Sequence, residues 1–149
     1  MRLSIYFQDG EVVDADSDSI NQSRLLFVVR PRGGNNRLAW ISFGSIKYVT
    51  FPDTPAGQLG DPKLDQLDKV VLRFADGAVM RAYKDDAFSQ EGFCFNIRLW
   101  NQADNRLERA IVSVFALKAV FFVDQWDSRV PLDGPARPEA RTLASIMRA

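Results

Sequence analysis

One short pattern occurs twice in the chain, and it constrains the fold more than any other feature of the sequence. The stretch LSIYFQDGEVVDA, residues 3–15, matches VVLRFADGAVMRA, residues 70–82, at a constant offset of 67 residues. A later match joins residues 36–51 to residues 105–123 once two residues are inserted, with Lys47 opposite Lys118. Because both matches keep the same order along the chain, the sequence predicts two tandem copies of one structural unit.

Each copy has the pattern of a β-rich unit. Large apolar residues alternate with polar or smaller residues over residues 3–7 and again over residues 70–74, which is typical of half-buried strands. Asp9–Gly10 and Asp76–Gly77 follow, and we predict a two-residue type I′ hairpin at each, with positive φ at both central residues. Each return strand covers residues 11–15 or 78–83. The remaining predicted strands cover residues 25–30, 38–43 and 46–51 in the first copy and residues 93–99, 110–114 and 117–123 in the second.

These strands predict an all-β protein built from two small five-stranded barrels, because closing a short sheet hides its edges. The first barrel covers residues 1–51 and the second covers residues 69–123. Residues 52–68 contain three prolines and two glycines and are predicted to be a linker. Since units of this size bury little apolar surface, we expect the two copies to share an interface.

Residues 124–149 are predicted to form a C-terminal arm. Its prolines favour an extended segment, and the spacing of Leu143, Ile146 and Met147 predicts a short helix from Glu139. A helix this short needs a surface to pack on. The arm also carries Trp126, so we expect it to dock on the barrels or on a second subunit, which would make a homodimer.

The strand order resembles that of Sm-like and SH3-like barrels. The second copy is also similar to an uncharacterised bacterial domain family, on FADG at residues 74–77, GFCFNI at residues 92–97 and LKAVFFV at residues 117–123. The first copy matches the same F-x-D-G pattern in degenerate form. This resemblance implies a small barrel of bacterial origin and carries no activity with it.

Composition argues against an enzyme. The chain contains no histidine and one cysteine, Cys94, which excludes imidazole-based catalysis, an intrachain disulfide and the usual zinc sites. The 19 basic and 19 acidic side chains give no net field toward nucleic acid or anionic lipid. We predict no cofactor and no metal. The first residues lack a signal-peptide pattern and no apolar run could cross a bilayer, so we expect a cytoplasmic protein without membrane contact.

The basic segment RPRGGNNR supplies the candidate anion site. Arg30, Arg32 and Arg37 lie beside a glycine pair, and guanidinium groups there could contact phosphate or RNA. Sm-like barrels bind RNA, but the segment has no aromatic residue on which bases could stack. A solubilising loop is the simpler interpretation.

Two acidic patterns have structural explanations. Asp14, Asp16 and Asp18 have the spacing of the first calcium-loop ligands, but Ser19 and Leu25 stand where that loop needs glycine and glutamate. We therefore predict a solvated acidic loop. The aspartates of the two Asp-Gly pairs are explained by their turns.

Trp100 and Trp126 are the candidate binding-groove residues, because each flanks a polar segment at the end of a predicted strand. The alternative is that they close the edge of a core. Cys94 lies between two phenylalanines without a basic neighbour, so a packed thiol is expected.

Two classes of function remain open. The first is a non-catalytic module that binds a protein or peptide through a strand edge or an aromatic groove. The second is an Sm-like RNA-binding protein that uses Arg30, Arg32 and Arg37. Neutral charge favours the first class and makes nucleic acid the less favoured partner.

Overall fold

The structure is a computed structural model, and it describes residues 1–35, 37–85, 92–101 and 105–126. The strands are β1 (Arg2–Phe7), β2 (Val12–Asp16), β3 (Leu26–Pro31), β4 (Ala39–Ser42), β5 (Ile46–Phe51), β6 (Lys69–Phe74), β7 (Val79–Lys84), β8 (Cys94–Asn101), β9 (Arg106–Ser113) and β10 (Leu117–Val123). Short 3₁₀ helices cover Phe43–Ser45, Pro62–Gln66 and Val114–Ala116.

The ten strands form one open antiparallel sheet in the order β10-β6-β7-β8-β9-β5-β1-β2-β3-β4. The all-β prediction is confirmed. Two separate five-stranded barrels are not confirmed, because β5 pairs with β9 and joins the two halves into a single sheet. Within each half the strands follow the same order, namely fifth, first, second, third and fourth.

Each half of the sheet has its own apolar core. The alternating residues of β1 and β6 point into these cores, and Leu3, Ile5 and Leu72 are fully buried. Phe93 departs from the prediction that it shares a face with the apolar residues of β8. It precedes that strand and packs against the core of the first half instead.

Both Asp-Gly pairs form hairpin turns, but the predicted turn type is wrong. Gly10 and Gly77 have φ of 97° and 93°, whereas Asn105 is the only non-glycine residue with positive φ in the described ranges. The N–H of each glycine donates to a carbonyl three residues earlier, which fits a type I turn that ends in a glycine bulge. The carboxylates of Asp9 and Asp76 accept hydrogen bonds from the backbone two residues later, so the turn needs no positive φ at aspartate.

The two halves share an interface, as expected from the sequence, and it is formed by the β5–β9 ladder. Val49 lies opposite Ile111 in this ladder, and Tyr48 lies opposite Val112. The hydroxyl of Ser113 donates to the Phe43 carbonyl at 2.7 Å across the same junction. Strand β9 therefore buries side chains on both faces, one toward each core.

The segment between the halves is packed on the second half. Asp61 caps the 3₁₀ helix by accepting from the Lys63 N–H at 3.0 Å, and Leu64 is buried against Tyr83 and Leu107. Residues 52–68 therefore cover one end of the second half, although their composition is typical of a linker.

The arm enters the described residues only as far as Trp126, and the predicted helix from Glu139 lies outside them. Among the described residues, none of the helices has the length and apolar character needed to cross a bilayer.

Candidate functional site

The arginines of the basic segment are held by the acidic segment. The guanidinium of Arg32 donates two hydrogen bonds to Asp16, each 2.8 Å long. Arg30 donates in the same way to Asp18, at 3.1 and 3.4 Å. Arg37 is exposed beyond them. The predicted anion contacts and the rejected calcium ligands are thus partners of each other.

These pairs shift the titration of the carboxyl groups. The hydrogen bond from Arg32 lowers the pKa of Asp16, and the hydrogen bond from Arg30 lowers the pKa of Asp18. A phosphate group would have to compete with a carboxylate for each of these two arginines.

The third member of the acidic pattern has a different partner. Asp14 accepts a hydrogen bond from the hydroxyl of Ser4 at 2.6 Å, across the β1–β2 ladder. In the described ranges, no three acidic or cysteine side chains come together in a way that could hold a metal ion.

The structure brings Trp100 and Trp126 together. Their ring centroids lie 5.6 Å apart, and the Trp126 ring also makes a T-shaped contact with the Tyr83 ring, with 4.9 Å between the centroids. The indole N–H of Trp126 donates to the Val70 carbonyl at 3.0 Å, which fixes the start of the arm on the second half.

Both tryptophans close a small apolar cluster and are themselves only partly buried. The cluster contains Leu64 and Leu107, and the guanidinium of Arg81 lies 5.1 Å from the Trp100 ring. This geometry is that of a core lid, with a cation resting on its outer surface. The groove role of Trp100 and Trp126 stays a prediction.

Cys94 is buried in the core of the first half, although it belongs to β8 of the second. Burial raises the pKa of its thiol to about 12, so the thiolate form is strongly disfavoured near neutral pH.

The most exposed apolar residues lie elsewhere, and sequence reasoning missed them. Trp40 in β4 is 73% exposed and lies opposite Val28 of β3, on the face turned away from the core. We define the β3–β4 surface by its exposed apolar residues, which are Leu25, Leu26, Val28, Leu38 and Trp40. The sequence contained a signal for this surface, because β3 and β4 have apolar residues at both odd and even positions. Only one of these two alternating sets can face the core, so the other must be exposed.

A second exposed apolar group lies at the opposite end of the sheet. Phe121 and Phe122 are exposed on β10, with the guanidinium of Arg73 at 5.9 Å from the Phe121 ring. Among the described strands, β10 pairs with β6 alone and β4 pairs with β3 alone. Both ends of the sheet therefore combine a strand edge with apolar side chains.

Comparison with known proteins gives no match to a family model, to a curated protein or to a solved structure.

Proposed function

We propose that the protein is a non-catalytic interaction module that binds a protein or peptide partner at the β3–β4 surface. The observation that carries this proposal is the exposure of Trp40 beside the edge of β4. Contiguous exposed apolar side chains of this kind are typical of protein-binding surfaces, and large aromatic residues are often their energetic centre.

The edge of β4 suggests how the partner binds. An extended peptide that adds a strand to a sheet edge gains backbone hydrogen bonds, while its side chains meet those beside the edge. Here the side chains beside the edge are Trp40, Val28 and Leu38. We infer an extended partner segment with apolar side chains on one face.

The finer architecture belongs to this proposal. We infer that each half is a five-stranded unit of the Sm-like or SH3-like type, joined edge to edge. The common strand order of the halves supports this interpretation. The cytoplasmic location and bacterial origin expected from the sequence stay predictions.

RNA binding through Arg30, Arg32 and Arg37 is the alternative that the sequence left open. Among the described residues, no contact favours it, because Arg30 and Arg32 each already hold a carboxylate. A steep loss of affinity with added salt in a titration with labelled RNA would favour this alternative.

Peptide selection tests the main proposal. A displayed library of random peptides is selected on the full-length protein, and selected peptides are titrated against nanomolar protein by fluorescence anisotropy. We expect Trp40→Lys to weaken binding at least about tenfold, or about 1.4 kcal/mol. Val12→Lys is the matched control, because Val12 is also exposed on a strand but lies inside the sheet order, in β2. Peptides that bind both variants equally would contradict the proposal.

A further inference from the structure

The two halves can be aligned through their strand pairing, independently of sequence similarity. Ile5 lies opposite Val49 in the first half, and Leu72 lies opposite Val120 in the second. Both ladders contain a β-bulge at the same position. The extra residue, which has no residue opposite it in the ladder, is Lys47 in the first half and Lys118 in the second. These matches make β5 equivalent to β10, residue by residue.

The third and fourth strands of the two halves also match. The Phe43 N–H donates to the Leu25 carbonyl at 2.8 Å, and the Val114 N–H donates to the Phe93 carbonyl at 3.0 Å. Ser42 and Ser113 each cap the following 3₁₀ helix with their hydroxyl oxygen. Strand β4 is therefore equivalent to β9, and β3 to β8.

The core of the first half takes in three side chains from the second half. Cys94 and Ile111 are buried in it, at 1% and 2% exposed, and Phe93 packs against it. Ile111 lies in β9, the strand that pairs with β5, whereas Cys94 is the first residue of the neighbouring strand β8 and Phe93 directly precedes it. These three residues are the apolar part of the junction between the halves.

The residues equivalent to these three in the first half are exposed. The alignment matches Phe93 to Leu25, Cys94 to Leu26 and Ile111 to Trp40. Leu25, Leu26 and Trp40 are 52%, 47% and 73% exposed. The β3–β4 surface is thus the same docking surface as the one that the second half uses at the junction, without its partner in the described chain.

At the opposite end of the sheet, β10 can be compared with its equivalent strand β5. Thr50 and Phe51 of β5 are 3% and 9% exposed at the junction. Their equivalents on β10, Phe121 and Phe122, are 49% and 56% exposed, and Phe122 also has the ammonium group of Lys84 at 5.9 Å. The β10 end of the second half is therefore the counterpart of the surface that β9 covers in the first half.

We propose that the partner of the β3–β4 surface is a second copy of this chain, docked head to tail through its β10 edge. This proposal rests on the proposed function, since it names the occupant of the same surface. The ladder between copies repeats the β5–β9 register, so Trp40 lies opposite Val120, Ala39 opposite Phe121, and Leu38 opposite Phe122 of the next copy. Each exposed apolar residue of one edge then meets an apolar residue of the other.

A single head-to-tail contact between two chains does not use up both edges. A head-to-tail contact uses different surfaces on its two sides, and a dimer made this way leaves one β4 edge and one β10 edge available. Further copies add at these edges until a ring closes or the filament ends. A ring of two chains would pair both edges of each chain, and otherwise the assembly grows beyond two chains.

Two full-length variants test the arrangement. Trp40→Lys places a charge on the β4 edge and Phe121→Lys places one on the β10 edge, a substitution type that prevents edge pairing. Both residues are exposed, so each variant should keep the circular dichroism spectrum of the wild-type protein. Light scattering after size-exclusion chromatography should give masses above the monomer for the wild type and the Val12→Lys control, and monomers for each edge variant.

Mixing the two variants gives the decisive result. Trp40→Lys keeps an intact β10 edge, and Phe121→Lys keeps an intact β4 edge. We expect the mixture to form a heterodimer that contains one chain of each variant and grows no further. Leu38→Lys in place of Trp40→Lys should give the same heterodimer, because it alters the same edge through a second residue.

The opposing outcomes are distinct. A monomeric wild type at about 100 μM would overturn the head-to-tail proposal, including the case in which residues 127–149 cover β10 in the same chain. A Phe121→Lys variant that still dimerises alone would indicate pairing of β4 with β4 and would also overturn it. Peptide binding that depends on Trp40 would survive either result, so the failure of this proposal and the failure of the proposed function can be told apart.

Discussion

Two aspartate–arginine pairs occupy equivalent positions in the two halves, and their surroundings differ. Asp18 pairs with Arg30 in the first half, and Asp85 lies 3.7 Å from Arg98 in the second. The side chains of the first pair are 88% and 48% exposed, whereas those of the second are 8% and 19% exposed. The same ion pair is therefore present once in solvent and once in the protein interior.

The cover over the second pair comes from the segment between the halves. Arg98 donates to the Ala56 carbonyl at 3.2 Å, and Arg109 donates to the Pro55 carbonyl at 3.0 Å. Arg109 also donates to the carboxylate of Asp85, so that one carboxylate faces two guanidinium groups. An exposed pair contributes about 0–1 kcal/mol, whereas removing one partner of a buried pair costs several times more. The repeated sequence pattern thus determines which charged side chains pair, and the covering segment determines how much each pair contributes to stability.

The largest expected effect comes from removing the buried carboxylate. Asp85→Ala leaves Arg98 and Arg109 beside carbonyl groups with no carboxylate between them, and we expect a loss of about 3 kcal/mol in the free energy of unfolding. Asp18→Ala is the matched control, with an expected change below about 0.5 kcal/mol. Urea denaturation of both variants measures the difference. Equal losses would show that the two environments are energetically alike.

A smaller effect should follow from loosening the cover itself. Leu64 is buried at 2% exposure beneath the segment, and Leu64→Ala should cost about 2–3 kcal/mol. Lys63→Ala, on the exposed side of the same short helix, should change stability little. In a double-mutant cycle, Asp85→Ala should cost less in the Leu64→Ala background, because solvent then reaches the two arginines. Strict additivity would mean that residues 52–68 do not shield the pair.

Local patterns predicted much of the fold. The period of two placed the strands, and the Asp-Gly pairs placed both turns, because these signals depend on neighbours in sequence. The turn type was wrong because the side chain of Asp9 or Asp76 caps the turn and glycine alone takes positive φ. The pairing of β5 with β9 could not be predicted, since it depends on the register between strands that lie far apart in the chain.

The candidate site was only partly predictable, for a related reason. The sequence singled out Arg30 and Arg32 as a basic cluster, but their carboxylate partners lie elsewhere in the chain and become visible only through the fold. Trp40 was assigned to a strand, yet its exposure depends on which face the core takes. Periodicity predicts that a strand has two faces, and long-range pairing decides which of them is covered.

The smallest expected effect concerns the exposed pairs and their pH dependence. Arg32 lowers the pKa of Asp16 in the folded protein, and Arg30 lowers that of Asp18. A carboxyl group with a lowered folded pKa stabilises the protein above its unfolded pKa of about 3.9, and this contribution disappears as the pH falls through the folded value. Carbon-detected NMR titration should show the Asp16 pKa rising toward its ordinary value in Arg32→Gln, with Asp18 unchanged. In Arg30→Gln the Asp18 pKa should rise, and the Asp16 pKa should rise less, because Arg30 is only its minor neighbour. Urea denaturation should show a small stability difference between wild type and each variant near pH 7 that vanishes in strong acid and weakens with added salt, since exposed charges are screened. An Asp16 pKa that does not respond to Arg32→Gln would show that this pair does not persist in solution, and phosphate would then meet no competitor at Arg32.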